Sequence, residues 1–259
     1  MAEDLKKAYR TIVREAFPEG MEITLVEGGK RQTLVYEKVT WEIAGERKGL
    51  RYGENPGQPA ALYRPTNGNL VLGDVVTIQP GPYLVSDAEM LQSGKHPGKT
   101  NLTDADNALN ILRYFQDTPT VAIMKHNNPC GVAQAENLEA AYLRADRADR
   151  IAAFGGCIAL NRPVDRATAE AIVSHYAEVV VAPDYEPGVM EIFATKKNLR
   201  VLRIRNMERL QDFVGFSCLD FKSLVDGGIV VQTSYEPRIR GKEDLMPAAC
   251  TYNGKEYRV

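Results

Sequence analysis

Apolar and polar positions follow one another along this chain with two periods, and each change of period marks a change of element. Over residues 3–17, Leu5, Tyr9, Ile12, Val13 and Ala16 fall on one helical stripe while Lys6, Lys7, Arg10 and Arg14 lie largely off it, which predicts a packing helix. Gly28-Gly29 divides two β-rich runs within 22–43, the pattern of a hairpin. Glycines and prolines every few residues make 50–64 a loop held by turns. Thr103, with Asp104 and Asp106 behind it, reads as a helix start, followed by Leu109, Leu112 and Phe115 at helical spacing. The run Thr120–Met124 is a buried strand ending on Lys125 and His126, before a turn built on Asn127, Asn128, Pro129 and Gly131.

Beyond it the two periods keep exchanging. Residues 137–150 alternate charge signs along a helix, as a solvated face does. Phe154-Gly155-Gly156 leads into a strand at 157–161, and a helix over 165–177 puts Ala169, Ile172, Val173 and Tyr176 on its apolar side. A strand at 178–183, a helix over 187–196 opened by Pro187, a basic run at 196–205 read as surface charge around a strand, and a strand at 226–234 complete the series. The tail from Tyr235 to Val259 shows no clear element. Strands alternating with helices predict an α/β fold: a layered, largely parallel sheet with helices on both faces, preceded by the N-terminal helix and hairpin.

Composition narrows the function classes. With 259 residues, 44% apolar and 25% charged, the chain matches an ordinary globular protein of one large or two small domains. A net charge of −2 gives no electrostatic reason to expect nucleic acid or an anionic membrane as partner. No apolar run is long enough to span a bilayer, and the charged start MAEDLKKAYR lacks a signal peptide's apolar core, so the expected location is cytoplasmic. The four cysteines are scattered without a CxxC pair, which suggests neither a disulfide framework nor structural zinc. Pro129-Cys130 is similar to the PCxxC of zinc deaminases, but Ala133 stands where the second cysteine belongs and Lys125-His126-Asn127 replaces HxE, so no metal is expected. The same turn could still belong to a deaminase-like backbone that has lost its metal.

The chemistry on offer is concentrated at Lys125 and His126. In open α/β sheets ligands bind where a strand's carboxyl end gives way to a helix. There a lysine supplies fixed charge and a histidine shuttles protons near neutral pH, unless the pair is merely a strand-edge lysine beside a hydrogen-bonded histidine. In the loop 50–64, Arg51 could fork onto a phosphate with the Tyr52 hydroxyl beside it, or the segment is only a loop.

The stretches RYGENPGQ at 51–58, KHNNPCG at 125–131, AAFGGCIALN at 152–161, EVVVAP at 178–183, KKNLR at 196–200 and DGGIVVQ at 226–232 together resemble one family. It is the transformylase domain that formylates AICAR (aminoimidazole carboxamide ribonucleotide) in purine synthesis, usually fused to IMP cyclohydrolase. The resemblance implies a cytidine-deaminase-like fold, an active site completed at a subunit interface, and 10-formyltetrahydrofolate as one-carbon donor. By similarity, Lys125 and His126 would be catalytic. Arg51 and Tyr52 would hold the nucleotide, Asn101 would contact it, Phe154 and Gly155 would border the heterocycle, and Glu178, where some members have Asp, would accept hydrogen bonds from it. The likeness covers roughly residues 50–234, the first half of the transformylase unit. The lysine-serine-asparagine segment and the later aromatic and arginine residues that finish the family's sites are not recognisable after Gln232. The expected organisation is an extension over 1–48, the transformylase-like domain over 49–234 and a tail over 235–259. The resemblance implies a formyltransferase in a homo- or hetero-oligomer with a chain supplying the second half. The alternative is a non-catalytic nucleotide-binding or regulatory subunit of a purine biosynthesis complex.

Overall fold

A computed structural model describes residues 17–43, 45–76, 83–235, 244–245 and 249–258. The helix expected over 3–17 lies outside the described residues but for Phe17. By contact the chain forms two units, the smaller made of residues 72–76 and 215–259 and the larger of the rest.

In the larger unit, β1 (Gly20–Glu27) and β2 (Lys30–Val39) pair antiparallel across Gly28-Gly29, the hairpin that the sequence predicts. Both glycines have positive φ, at 54° and 83°, which a two-residue hairpin loop of this hand requires. The short β3 (Trp41–Ile43) and β4 (Glu46–Lys48) form a ladder of their own, and β5 (Leu62–Gly68) returns to pair with β2. The pair β6 (Val71–Leu72) and β7 (Val75–Val76) follows in the chain, with residues 72–76 belonging to the smaller unit. Then come β8 (Glu89–Gln92), helix α1 (Lys99–Leu112), β9 (Thr120–Lys125) and β10 (Asn128–Gln134). Helices α2 (Leu138–Ala148) and α3 (Arg150–Ala153) lead to β11 (Cys157–Leu160). Next are α4 (Arg166–Val173), β12 (Val179–Ala182), α5 (Val189–Phe193) and β13 (Arg200–Arg203).

The central sheet has the strand order β10-β9-β11-β12-β13-β8. It is mixed: β11, β12 and β13 run parallel in its middle, as the alternation predicts, while β9, β10 and β8 join antiparallel at the two sides. The physical reason lies at Lys125. Its strand does not give way to a helix but doubles back through His126-Asn127 into β10.

Period-two side chains divide the core between the two faces of the sheet. Ala122, Met124, Ala159, Val179, Val181 and Leu202 face α1, which buries Leu102, Ala105, Ala108, Leu109 and Leu112 against them. Val121, Ile123, Ile158, Leu160, Val180 and Val201 face α2, α4 and α5, which contribute Tyr142, Ala145, Ile172 and Phe193. Helices therefore cover both faces. Gly131, at the bulge where β10 shifts register, makes the packing of α2 feasible, because a Cβ there would lie 2.0 Å from the Ala145 carbonyl oxygen.

Five expectations shift in detail. Helix α1 begins at Lys99, well before Thr103, because Asn101 caps it: its Oδ1 accepts the Gly98 N–H at 3.0 Å. Helix α5 opens at Val189 behind Gly188, whose φ is 86°, and Pro187 precedes that cap. Helix α4 ends at Val173, so Tyr176 lies beyond it, 46% exposed. The strand within 226–234, β15 (Ile229–Thr233), pairs not with the central sheet but with β14 (Leu219–Ser223), in the smaller unit. That unit also holds β16 (Ala249–Tyr252) and β17 (Lys255–Arg258), joined by Asn253-Gly254 within the tail read as featureless. Among the described residues no helix is long and apolar enough to cross a membrane.

Candidate active site

Backbone register aligns Met124, Cys157, Val179 and Arg200 in one row across the central sheet. Just past that row, at one edge, come Lys125, Gly156 and Glu178. Because β9 is antiparallel to β11, this edge holds the carboxyl end of β9 but the amino ends of the three parallel strands. The usual rule for parallel sheets points to their opposite ends. The start of α1 approaches the same edge: the Asn101 amide donates from Nδ2 to Glu178 Oε2 at 3.1 Å. Two of the residues expected in the site therefore touch directly.

Lys125 is half buried, and its ammonium donates to the Phe154 carbonyl at 2.6 Å, which brings β9 and the entry to β11 together. Phe154 itself is 62% exposed and packs against Tyr176 with ring centroids 5.0 Å apart. Gly155 takes a φ of 74° and donates its N–H to the Tyr176 carbonyl at 2.8 Å. A side chain at Gly155 would press on the Tyr176 ring at 3.1 Å.

His126 and Asn127 form the tip of the β9–β10 hairpin at φ of 52° and 64°, a region that side chains other than glycine seldom occupy. Asp104, buried on α1, holds them there. Its Oδ1 accepts the Asn127 N–H at 2.6 Å, and the His126 N–H also donates to this carboxylate. Burial raises the pKa of Asp104, and the Asn127 and His126 N–H groups oppose that rise. Asn107 adds a bond from Nδ2 to Asn127 Oδ1 at 3.2 Å. The His126 backbone is thus fixed while its side chain is exposed.

Arg51 and Tyr52 enter the same neighbourhood through the backbone that precedes α1. The Arg51 N–H donates to the Pro97 carbonyl at 2.8 Å, and the Lys99 N–H donates to the Tyr52 carbonyl at 2.9 Å. Arg51 is 6% exposed, its guanidinium donates to the Tyr52 hydroxyl at 2.5 Å, and its Nε is buried with no hydrogen-bond partner among the described residues. A Cβ on Gly98 would meet the Tyr52 ring at 3.0 Å, so glycine there lets the ring close over the helix start. Arg51 also lies near enough to Arg200 to add to the fall in that residue's pKa, which burial drives and Glu178 opposes.

The structure therefore links Asn101 with Glu178, Lys125 with Phe154 and Arg51 with Tyr52. Arg200 contacts Glu178 and the Lys95 carbonyl, the start of α1 bonds Tyr52, and the His126 imidazole is apart from the described hydrogen bonds. Three neighbours were missed by sequence reading. Asp104 reads as a helix-cap companion and Arg200 as surface charge, although it interrupts the apolar run 199–202. Tyr176 reads as helix packing, yet it bonds Glu178, and burial followed by that carboxylate raises its pKa. A hollow of about 240 Å³ opens behind Phe154, lined by Ile123, Tyr142, Asp146, His175 and Tyr176 among others, on the side of the sheet that α2 and α4 cover. Lys125, His126 and Arg51 stay outside it. Among the described residues no group of three or more His, Cys, Asp or Glu is placed to hold a metal.

Comparison with known proteins fixes the family. A family model described as AICARFT/IMPCHase bienzyme matches residues 5–252. The chain belongs to the AICARFT/IMPCHase bienzyme family. Relatives carrying the description "Bifunctional purine biosynthesis protein PurH" include that of Caldicellulosiruptor saccharolyticus, 38% identical over 183 residues, which cover 71% of this chain and 32% of the relative. The protein of Leuconostoc mesenteroides is 43% identical over 172 residues, 66% of this chain and 30% of the relative. That of Clostridium perfringens is 35% identical over 229 residues, 88% of this chain and 39% of the relative. This AICARFT/IMPCHase family member thus spans about a third of the length of the curated relatives it matches.

Proposed function

We propose that this chain takes part in purine biosynthesis in the cytoplasm, by transferring the formyl group of 10-formyltetrahydrofolate to the amine of AICAR. In this reading it is one component of a split enzyme whose other half comes from a second chain, and residues 49–234 are the part that carries the chemistry. The observation that carries the reading is the convergence of Lys125, His126, Asn101 and Glu178 on one sheet edge beside Arg51 and Tyr52.

The acceptor amine of AICAR is conjugated with its ring and carboxamide, so it is a poor nucleophile and must shed a proton as it attacks. The exposed His126 imidazole accepts that proton, an effect of roughly 10²–10⁴-fold for a positioned base. The Lys125 ammonium stabilises the negative charge that develops on the formyl oxygen, and the intermediate collapses by breaking the formyl C–N10 bond, N10 of the departing tetrahydrofolate taking up the proton. Its bond to the Phe154 carbonyl aims the ammonium and leaves further N–H groups to donate. The Asn101 amide already uses Oδ1 on Gly98 and one N–H on Glu178, so it meets the nucleotide as a donor. Glu178 meets it as an acceptor, which suits a carboxamide or amine N–H. Arg51 and Tyr52 hold the nucleotide, the buried Arg51 guanidinium carrying the charge that a phosphate seeks.

The test mixes this chain with a companion carrying the family's second half and follows AICAR-dependent consumption of 10-formyltetrahydrofolate. The mixture is expected to turn over and His126→Ala to abolish turnover while nucleotide still binds. Unchanged turnover in His126→Ala defeats the catalytic assignment, and nucleotide binding without any turnover favours the non-catalytic subunit.

A further inference from the structure

The basic run 196–205 divides sharply in the fold. Lys196 and Lys197 are exposed, whereas Arg200, the last residue of KKNLR, is 4% exposed at the first position of β13. Burying a guanidinium is costly unless close partners compensate it. Here the carboxylate that faces the guanidinium is that of Glu178, whose backbone the Arg200 main chain also bonds. The Arg200 N–H donates to the Glu178 carbonyl at 3.0 Å, Nη1 approaches the same carbonyl at 3.5 Å, and Nη1 lies 3.5 Å from Glu178 Oε2. The remaining described bond runs from Nε to the Lys95 carbonyl at 3.2 Å, in the segment that leads into α1. Glu178 is 37% exposed at its side chain, so the cation lies beneath and the carboxylate at the surface. The same Oε2 receives the Asn101 amide.

We infer that Arg200 is a positioning residue of the nucleotide site: it sets the direction of the Glu178 carboxylate and, through it, of the Asn101 amide. This rests on the proposed function, in which Glu178 and Asn101 meet the nucleotide. In this inference Arg200, buried beneath Glu178, acts through that carboxylate. Without its cation the Glu178 carboxylate faces the charge of Asp104 with less to hold it in place, and the donor and acceptor offered to the nucleotide are no longer fixed together.

Two measurements on the full chain test it. The first is the affinity for AICAR, by calorimetry, of the unsubstituted protein, Arg200→Met, Arg200→Lys, Glu178→Gln and the double variant Arg200→Met/Glu178→Gln. Each of Arg200→Met and Glu178→Gln is expected to weaken binding about tenfold, as loss of a hydrogen bond to a charged group does. The double variant is expected to bind within about twofold of the weaker single variant, because the two residues act as one unit. Arg200→Lys keeps the charge and is expected to recover part of the loss. The second measurement is the side-chain amide resonance of Asn101 in asparagine-labelled protein without nucleotide, expected to move in Arg200→Met as it moves in Glu178→Gln. Losses that add in the double variant, or an Asn101 amide that ignores the Arg200 substitution, overturn the inference. Should Arg200→Met not fold, Arg200→Lys carries the same comparison with and without Glu178→Gln. If the unsubstituted protein binds no AICAR even when mixed with the companion chain, the proposed function falls, and the Asn101 resonance still decides whether Arg200 directs that amide.

Discussion

Val179–Val181 of β12 and Ile229–Val231 of β15 are nearly the same sequence, three β-branched residues in a row, with opposite surroundings. In β12 their exposure is 1%, 0% and 0%, whereas in β15 it is 64%, 45% and 44%. The difference lies in what flanks each run. Strand β12 has a strand on either side and helices over both faces, while β15 has one partner strand among the described residues. β-Propensity describes a fit to a pleated surface, and only the neighbouring elements decide whether that surface is covered.

Charge insertion is the harshest way to break this comparison. Val180→Asp places a carboxylate between the sheet and its helices, with an expected cost of more than about 4 kcal/mol, enough to unfold a marginal domain. Val230→Asp, on an exposed strand, is expected to change stability by less than about 0.5 kcal/mol. Urea unfolding of both variants checks this. An equal cost at Val230 would mean that β15 is covered in solution. The next largest effect belongs to glycines that differ in the same way. Gly131→Ala would drive a Cβ into the Ala145 carbonyl and force β10 from α2, at a cost of about 2–4 kcal/mol. Gly227→Ala faces open space at a φ of 86°. It should cost only the left-handed penalty of about 1–2 kcal/mol, by the same assay.

The pattern of apolar residues made the central strands and the helix faces legible, because buried strands and amphipathic helices each leave a period. It could not separate β12 from β15, whose runs look alike, nor foresee that β9 would turn into a hairpin, since KHNNPCG contains no glycine at the tip. The hairpin in the tail was readable from Asn253-Gly254, the strongest short signal for such a turn, but its flanks carry too few apolar residues to draw attention. At the site, residues with chemistry at strand ends could be picked out by motif. Arg200 and Asp104 could not, because their importance comes from burial and from partners distant in sequence: 22 residues from Arg200 to Glu178 and 23 from Asp104 to Asn127.

A pH series sharpens the contrast further, since all three histidines, His96, His126 and His175, belong to the larger unit. His96 is 7% exposed, with Nδ1 3.1 Å from the Gly49 carbonyl. Burial lowers its pKa below the ordinary 6.5, and the Gly49 bond only partly opposes this. The unfolded chain therefore takes up a proton more readily than the folded one as pH falls through 6.5. Stability from this group is complete above that pH and declines below it, by up to about 1.4 kcal/mol for each pH unit until the folded group also protonates. Urea midpoints at pH 7.5 and 5.5 are expected to differ less in His96→Asn, whose amide can still donate to Gly49. An unaltered difference would assign the acid sensitivity elsewhere.

The smallest expected effect compares two hairpin tips. His126-Asn127 and Asn253-Gly254 both carry positive φ at their two central residues, 52° and 64° in the first, 49° and 73° in the second. The second pair is what such a turn favours, and the first is held by Asp104 against its own preference. Replacing His126-Asn127 by Asn-Gly should therefore raise stability by about 0.5–1 kcal/mol, because residues tolerant of this backbone relieve the local strain. In the proposed function the same change removes the base and turnover with it. A gain in urea midpoint together with loss of formyl transfer would show that the chain keeps a less stable tip for what its imidazole does. If stability falls instead, the His126 side chain contributes packing that outweighs the strain, and the comparison of the two tips fails at that residue.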